Sequence, residues 1–387
     1  MTQTQRGNLV LIIVAAGFIS AIGGFPFNTM PVMLGSLADT FSLGSQQLGL
    51  VGSSALGGFV AGSVLASLWI ERVNWKLAAV AGAAVTALGY LFTAKVSGEF
   101  LYAIWFVVGF GASTLYSLSI RVLSELPDKE RAFGMRSAIE LTITASVLFA
   151  LPPLIIANWQ YTGAAVTLAL VIVVLGIFAY WLPARGSSVV ERQPFPHFKS
   201  AAPAWAGLAI LFVFFAGVSG LWAFLERMGQ GVGSTPTQLG FMFAALKLIG
   251  AGSAFVAGAV GGKLGLRFPH IAVAVMILVG LFLLYVADSF EVYAAGAWIW
   301  EAGFSIGFCY QCAAVTRLDT SRRLVVFIPA ALALGGTVGP GVAGFLRASA
   351  GDLPILVFTG IAAIVPAIAF LVLSSRMEYT QEDRSPQ

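Results

Sequence analysis

Two charged side chains interrupt long apolar stretches in the second half of the chain. Lys247 lies in Gln238-Leu-Gly-Phe-Met-Phe-Ala-Ala-Leu-Lys247-Leu-Ile-Gly250, and Glu301 in Ala297-Trp-Ile-Trp-Glu301-Ala-Gly303. A charge inside an apolar helix is expensive, so it marks a place where an ion pair forms, a solute binds or a proton moves. Each residue stands about nine residues, or roughly 14 Å, into its apolar run when both are counted from the same side. Equal depth and opposite sign suggest an ion pair or a shared proton site. A carboxyl so placed can take up and release a proton, and a transport protein can use that to link proton movement to its open or closed state. A purely structural pair is the other reading of Lys247.

Composition decides the kind of element that must hold these charges. Of 387 residues, 58% are hydrophobic and only 10% charged, with a mean hydropathy of +0.91; that leaves too little polar surface for a water-soluble globule. The chain reads as an integral membrane protein in a lipid bilayer. Two cysteines cannot form a disulfide framework. The net charge of +4 is not arranged as a basic stripe interleaved with aromatics, so no nucleic-acid partner is expected. Cys309-Tyr-Gln-Cys312 has redox or metal spacing but no histidine or acid beside it, and reads as a buried structural pair. The two histidines, His197 and His270, fall in loops away from any nucleophile, and there is no phosphate-loop lysine motif. Neither an enzyme nor a cofactor is expected.

Apolar runs long enough to cross a bilayer recur at 8–36, 45–70, 77–95, 100–120, 134–156, 163–183, 204–228, 238–262, 270–288, 292–316, 324–347 and 354–375. Twelve transmembrane helices make this an all-α membrane protein. The polar, Pro-bearing stretch 184–203 reads as a cytoplasmic linker, dividing the chain into six-helix bundles at 1–183 and 204–387. With both termini cytoplasmic, all of the 21 Lys and Arg except Lys95, Arg227, Lys247 and Arg347 fall on the cytoplasmic side, as the positive-inside rule expects. A plasma (inner) membrane is the expected location.

Other polar residues take their meaning from these spans. Asn28 follows Gly23-Gly24-Phe25-Pro26-Phe27 in the first span, where proline can break the helix beside a cavity. It is a substrate candidate, or else a polar residue that stabilises the helix. Glu226 and Arg227, after Trp222 at the outer end of the seventh span, read as interfacial residues or as a gate over the cavity, and Trp222 and Glu226 join Lys247, Glu301 and Asn28 as substrate-binding or coupling candidates. Glu140 lies four residues after Arg136, a spacing that puts both on one helix face, and reads as a local pair near the cytoplasmic edge. The eleventh span carries Gly335-Gly336-Thr-Val-Gly339-Pro340-Gly341, a small-residue face for close helix contact.

The two halves also repeat. Gln47-Leu48-Gly49 heads the second span and Gln238-Leu239-Gly240 the eighth, and at their far ends Arg72 meets Lys263 and Lys76 meets Arg267. The loop after the second span is Ser67-Leu-Trp-Ile-Glu71-Arg72-Val-Asn74-Trp75-Lys76; its second copy is Gly258-Ala-Val-Gly-Gly262-Lys263-Leu-Gly265-Leu-Arg267, which lacks the acid. Together with twelve spans, these loops resemble the major facilitator superfamily over essentially the whole chain. The resemblance implies alternating access, with a substrate site at mid-membrane between the halves. It also implies a conformational role for Ser67, Glu71, Arg72, Lys76, Gly258, Lys263, Gly265 and Arg267, whose charges would pair when the cytoplasmic face closes. Fixing topology alone is the plainer reading of these basic loops.

In this superfamily the eighth helix resembles a cavity-lining position where basic residues meet carboxylate solutes, which directs Lys247 toward a small anionic organic solute and Glu301 toward proton coupling. Two departures count against a multidrug antiporter: Trp105 stands where an arginine precedes Gly109-Phe-Gly111, and the fifth span has Ala150-Leu-Pro-Pro153 in place of a glycine-rich Gly-Pro pattern. The expectation is a monomeric, proton-coupled secondary transporter. A proton-coupled exporter of amphipathic compounds is the alternative, favoured by Trp105, Trp222, Trp298 and Trp300. From another class, a transport-dead sensor or a lipid-handling protein remains open.

Overall fold

The structure is a computed structural model that describes residues 3–126, 128–186, 202–264, 267–319 and 324–382. Its α-helices are α1 (Gln3–Asn28), α2 (Met30–Phe41), α3 (Ser45–Trp69), α4 (Trp75–Thr93), α5 (Phe100–Ser124), α6 (Lys129–Ala150), α7 (Ala157–Gly176), α8 (Ala202–Gly231), α9 (Pro236–Val260), α10 (Arg267–Val286), α11 (Phe290–Leu318), α12 (Ile328–Ala350) and α13 (Leu353–Glu382). Among the described residues there is no strand. Helices satisfy their own backbone groups, which lipid cannot do for them. The large apolar side chains left on the outside, such as Leu77, Phe92, Phe255, Phe282 and Phe345, suit acyl chains rather than water.

Ten segments are long and apolar enough to cross a membrane, and the sequence count of twelve is recovered at two places. Arg131–Trp181 is a single run of 51 residues, about 77 Å if straight, or more than two bilayer cores. It turns at Gln160, whose φ of 51° and ψ of −151° lie outside the helical region. Just before the turn, Pro152 and Pro153 withdraw two N–H donors, and the helix widens into a π turn over Leu151–Ile156. Tyr161 fastens the returning helix: its N–H donates to Thr40 Oγ1 (3.3 Å) and its hydroxyl to Thr93 Oγ1 (2.8 Å). The remaining span is α11, in which charge and small residues lower the hydropathy.

The first span bends less than its prolines suggest. It departs from helix only at Thr29, between Pro26 and Pro31, and Thr29 keeps the ladder running, with its N–H and its hydroxyl both donating to Phe25 O (2.9 and 2.8 Å).

By contacts the chain forms two compact units. Unit 1 is Met1–Arg192 with Pro236–Ala244, and unit 2 is Gln193–Thr235 with Ala245–Gln387. In unit 1, α5 packs against α1, α3 and α4, α6 against α1, and α7 against α4; in unit 2, α11 packs against α8 and α10, α12 against α8, and α13 against α8 and α10. The pairs α1–α5, α4–α5, α1–α6 and α4–α7 of unit 1 thus recur in unit 2 as α8–α11, α10–α11, α8–α12 and α10–α13, in keeping with a duplicated six-span unit. Glycines set the closest approaches. A methyl at Gly58 or Gly109 would overlap the α5 or α3 backbone, at Phe106 and Ala55 respectively. In unit 2, Gly335 plays that part against Phe212 to Ala216 of α8 and Gly339 against Ala216 to Gly220, and Ser219 Oγ closes the contact on Gly335 O (3.3 Å). The expected small-residue face of the eleventh span is therefore a packing face.

A candidate charged site in unit 2

Lys247 stands eleven residues after the start of α9 and Glu301 eleven after the start of α11, roughly 16 Å along each helix. Both are buried, 8% and 6% exposed. Their charges interact across the α9–α11 interface, so the depth match read from the sequence corresponds to proximity in space. The Lys247 ammonium lies over the ring of Trp222, 4.0 Å from its centroid. Trp222 comes from α8 and is itself buried at 2% exposure. The face of an indole attracts a desolvated cation by about 2 kcal/mol and does so without occupying any of its three N–H donors. Trp222 therefore supports the charge from one side.

Glu301 is held on its other side by Ser305, one turn along α11, whose hydroxyl donates to Oε1 (3.3 Å). A residue that the sequence reading missed makes this possible. Gly250, one turn after Lys247, faces the carboxyl so closely that a methyl there would overlap Glu301 Oε1 and stand 3.0 Å from Ser305 Oγ. Gly250→Ala gains up to about 1 kcal/mol in helix propensity, and the atom its methyl would overlap is the end of the Glu301 side chain rather than backbone, so the carboxyl moves and the fold is kept. The variant is expected to unfold within a few degrees of the parent and to transport more slowly, read by thermal unfolding and vesicle flux.

Glu226, one turn beyond Trp222 on α8, is 5% exposed. Its Oε1 accepts from Gln230 Nε2 (2.6 Å), and Gln230 Oε1 accepts from Arg227 Nη1 (2.8 Å). Nearby, Tyr293 of α11 donates to Leu225 O (2.7 Å). The structure thus makes Glu226 a buried, hydrogen-bonded residue. Cys309 and Cys312 are free thiols of intermediate burial, more exposed than the expected buried pair.

Unit 1 holds a largely buried ion pair. Arg136 Nη2 donates to Glu140 Oε2 (2.8 Å), as the four-residue spacing suggests. Glu140 stands eleven residues into α6, and Ser20 of α1 joins both partners, donating to Glu140 Oε2 (2.7 Å) and accepting from Arg136 Nε (2.7 Å). The guanidinium also covers Tyr116 of α5 at 4.6 Å. Asn28 is half-buried beside this group: a methyl at Gly24 would stand 2.8 Å from both Asn28 Nδ2 and Glu140 Oε1. Removing one member of such a pair strands the other without a counter-charge. Arg136→Ala is therefore expected to cost about 3–5 kcal/mol of stability, while Arg136→Met with Glu140→Leu costs far less; detergent-solubilised unfolding compares the two.

The loop signature has a local function in unit 1. Glu71 pairs with Arg121 of α5, Nε to Oε1 at 2.6 Å, and Arg121 also meets Glu125 (2.8 Å) and lies over the ring of Trp75. The sequence reading did not single out Arg121, fifty residues away. Asn74 caps α4 by accepting from the N–H groups of Lys76 and Leu77, Lys76 lies over the Tyr180 ring at 4.9 Å, and Ser67 Oγ bonds Val64 O (2.7 Å) in its own helix. Arg72 N–H donates to Trp69 O (2.8 Å), which tightens the turn. In the second copy Gly258 and Lys263 are exposed, Gly261 takes up the turn with φ of 55°, and Arg267 opens α10. Gly265 lies outside the described residues.

Twelve membrane spans in two units of like internal packing, with buried charges deep in the helices, define a multi-pass helical membrane protein of the transporter type. The family model of the Major Facilitator Superfamily matches residues 13–325, and the chain belongs to that superfamily. Among solved structures it is similar to a bacterial homologue of the human lysosomal transporter Spinster in its inward-facing, occupied conformation (15% identity, 97% of this chain and 98% of that chain, TM-score 0.75). It is also similar to the nucleoside transporter NupG (14%, 94% and 98%, 0.73) and to a D-xylose–proton symporter (13%, 94% and 97%, 0.73). At these identities the likeness is one of fold. No curated protein sequence matches the chain significantly.

Proposed function

We propose that this protein is a proton-coupled secondary transporter of a small organic solute bearing an anionic group. The observation that carries the reading is a lysine buried in apolar surroundings, its ammonium 4.0 Å above a buried tryptophan, with a buried carboxyl in electrostatic reach. Three roles divide among the residues: Lys247 binds the solute's anionic group, Trp222 supports the ammonium, and Glu301 takes up or releases the coupling proton. Proton movement at Glu301 switches the net charge beside Lys247 between zero and +1, which alters the lysine's hold on an anion. The name of the D-xylose–proton symporter is in keeping with a proton as driving ion. The chain is proposed to act as a monomer in the plasma (inner) membrane with both termini cytoplasmic, bundles 1–183 and 204–387 rocking about the linker 184–203. Of the tryptophans that favour an amphipathic-drug exporter, Trp105 is committed to the core against Tyr90 (5.6 Å), which supports the anion reading instead.

The test is solute-dependent proton movement in proteoliposomes with a pH-sensitive dye inside. Small carboxylates are expected to move protons with them; a response to neutral sugars or nucleosides and none to carboxylates would overturn the reading.

A further inference from the structure

The charged site of unit 2 continues into a run of aromatic rings. On α11, Trp300, Phe304 and Phe308 follow at four-residue steps and so share one face, with centroids 6.3 Å apart at each step. From α8, Phe214 and Phe215 meet Phe304 at 6.1 and 6.0 Å. Two turns beyond Phe215 on the same face of α8 is Trp222, under the Lys247 ammonium. Trp300 and Phe214 are fully buried, whereas Phe215, Phe304 and Phe308 keep part of their ring surface open. The charge stands at one end of this run, because Glu301 precedes Phe304 by a single turn, and Phe308 lies about 10 Å further along the axis.

We propose that the solute is an aromatic monocarboxylate of one or two rings. The inference rests on the reading of Lys247 as the anion anchor and adds the shape and chemistry of the rest of the molecule. With its carboxylate on Lys247, the body of the solute extends along Phe304, Phe308 and Phe215, a length that suits one or two rings. A saturated body would gain apolar burial there; an aromatic body gains stacked or edge-to-face ring contact in addition. The rings at the far end of the run offer no counter-charge to a second carboxylate, which would be buried unpaired, so the solute carries one.

The probes are benzoate, phenylacetate and indole-3-acetate, compared with cyclohexanecarboxylate, hexanoate and benzyl alcohol, in thermal stabilisation of the purified full chain across a concentration series. The aromatic carboxylates are expected to bind about 2- to 10-fold more tightly than cyclohexanecarboxylate. That ratio should fall toward one in Phe304→Leu, which keeps volume in the core, and in Phe304→Ala. Lys247→Met should lose the response to every carboxylate. Equal binding of benzoate and cyclohexanecarboxylate by the parent chain would overturn the aromatic inference and leave the anion reading standing. Benzyl alcohol matching benzoate, with Lys247→Met unchanged, would overturn the anion reading, and no response to any carboxylate would overturn both.

Discussion

Lys247→Ala is expected to reduce carboxylate uptake into proteoliposomes to the leak rate of protein-free vesicles. An anion that loses its buried cationic partner forfeits about 2–5 kcal/mol, a fall in affinity of roughly 30-fold to several thousand-fold. Lys247→Arg distinguishes charge from geometry: it restores the charge, but its wide planar head over Trp222 cannot present the compact ammonium that a lysine does. It should recover a small part of the flux. If Lys247 and Glu301 form only a structural pair, replacing both together by apolar residues of similar volume, Lys247→Met with Glu301→Leu, would be tolerated, with transport retained. Solute uptake by the double variant at the parental rate would therefore sink the role given to Lys247, whatever the single substitution does.

For Glu301→Gln the expected result is a separation of two activities. The amide keeps the shape of the side chain, its oxygen can still accept from Ser305 (3.3 Å in the parent), and it fits beside Gly250, so the fold should survive. What is lost is the site's ability to exchange a proton. Counterflow of labelled solute between equal pH on the two sides should persist, whereas accumulation driven by an imposed pH gradient should disappear, and the pH dependence of the rate with it. Gradient-driven accumulation that survives the substitution would place coupling at another carboxyl. Glu140 is then the natural place to look, since it stands as many residues into its helix, though Arg136 and Ser20 hold it as a satisfied pair.

Much of the site in unit 2 is visible in the sequence for a simple reason. Lys247 and Glu301 are exceptions to a strong rule, the exclusion of charge from apolar helices, and their depth follows from counting along two helices whose ends are marked by polar loops. Trp222 and Glu226 are visible as polar or amphipathic residues near a span's end, but neither their burial nor the seating of Lys247 on Trp222 can be counted out, because both depend on how α8 is turned toward α9. The unit 1 pair shows the same limit. The spacing of Arg136 and Glu140 discloses the pair, and nothing local discloses that Ser20, 116 and 120 residues away, completes it and ties α6 to α1. Glycine is the least legible of all: Gly250 and Gly24 look like any other small residue in a membrane helix until the carboxylates packed against them are seen.

Composition, periodic apolar runs and the distribution of basic residues were enough to establish an all-α membrane protein of twelve spans in a duplicated plan, because crossing a bilayer imposes length and apolarity on each segment separately. The direct turn from the fifth span to the sixth at Gln160, the pairing of Glu71 with Arg121, the notch at Gly250 and the assembly of Trp222, Lys247 and Glu301 with the rings of Phe215, Phe304 and Phe308 were decided only in three dimensions. All but the turn at Gln160 join helices far apart in the chain, and the rotation of one helix against another is set by side-chain packing over the whole interface rather than by any one stretch of sequence.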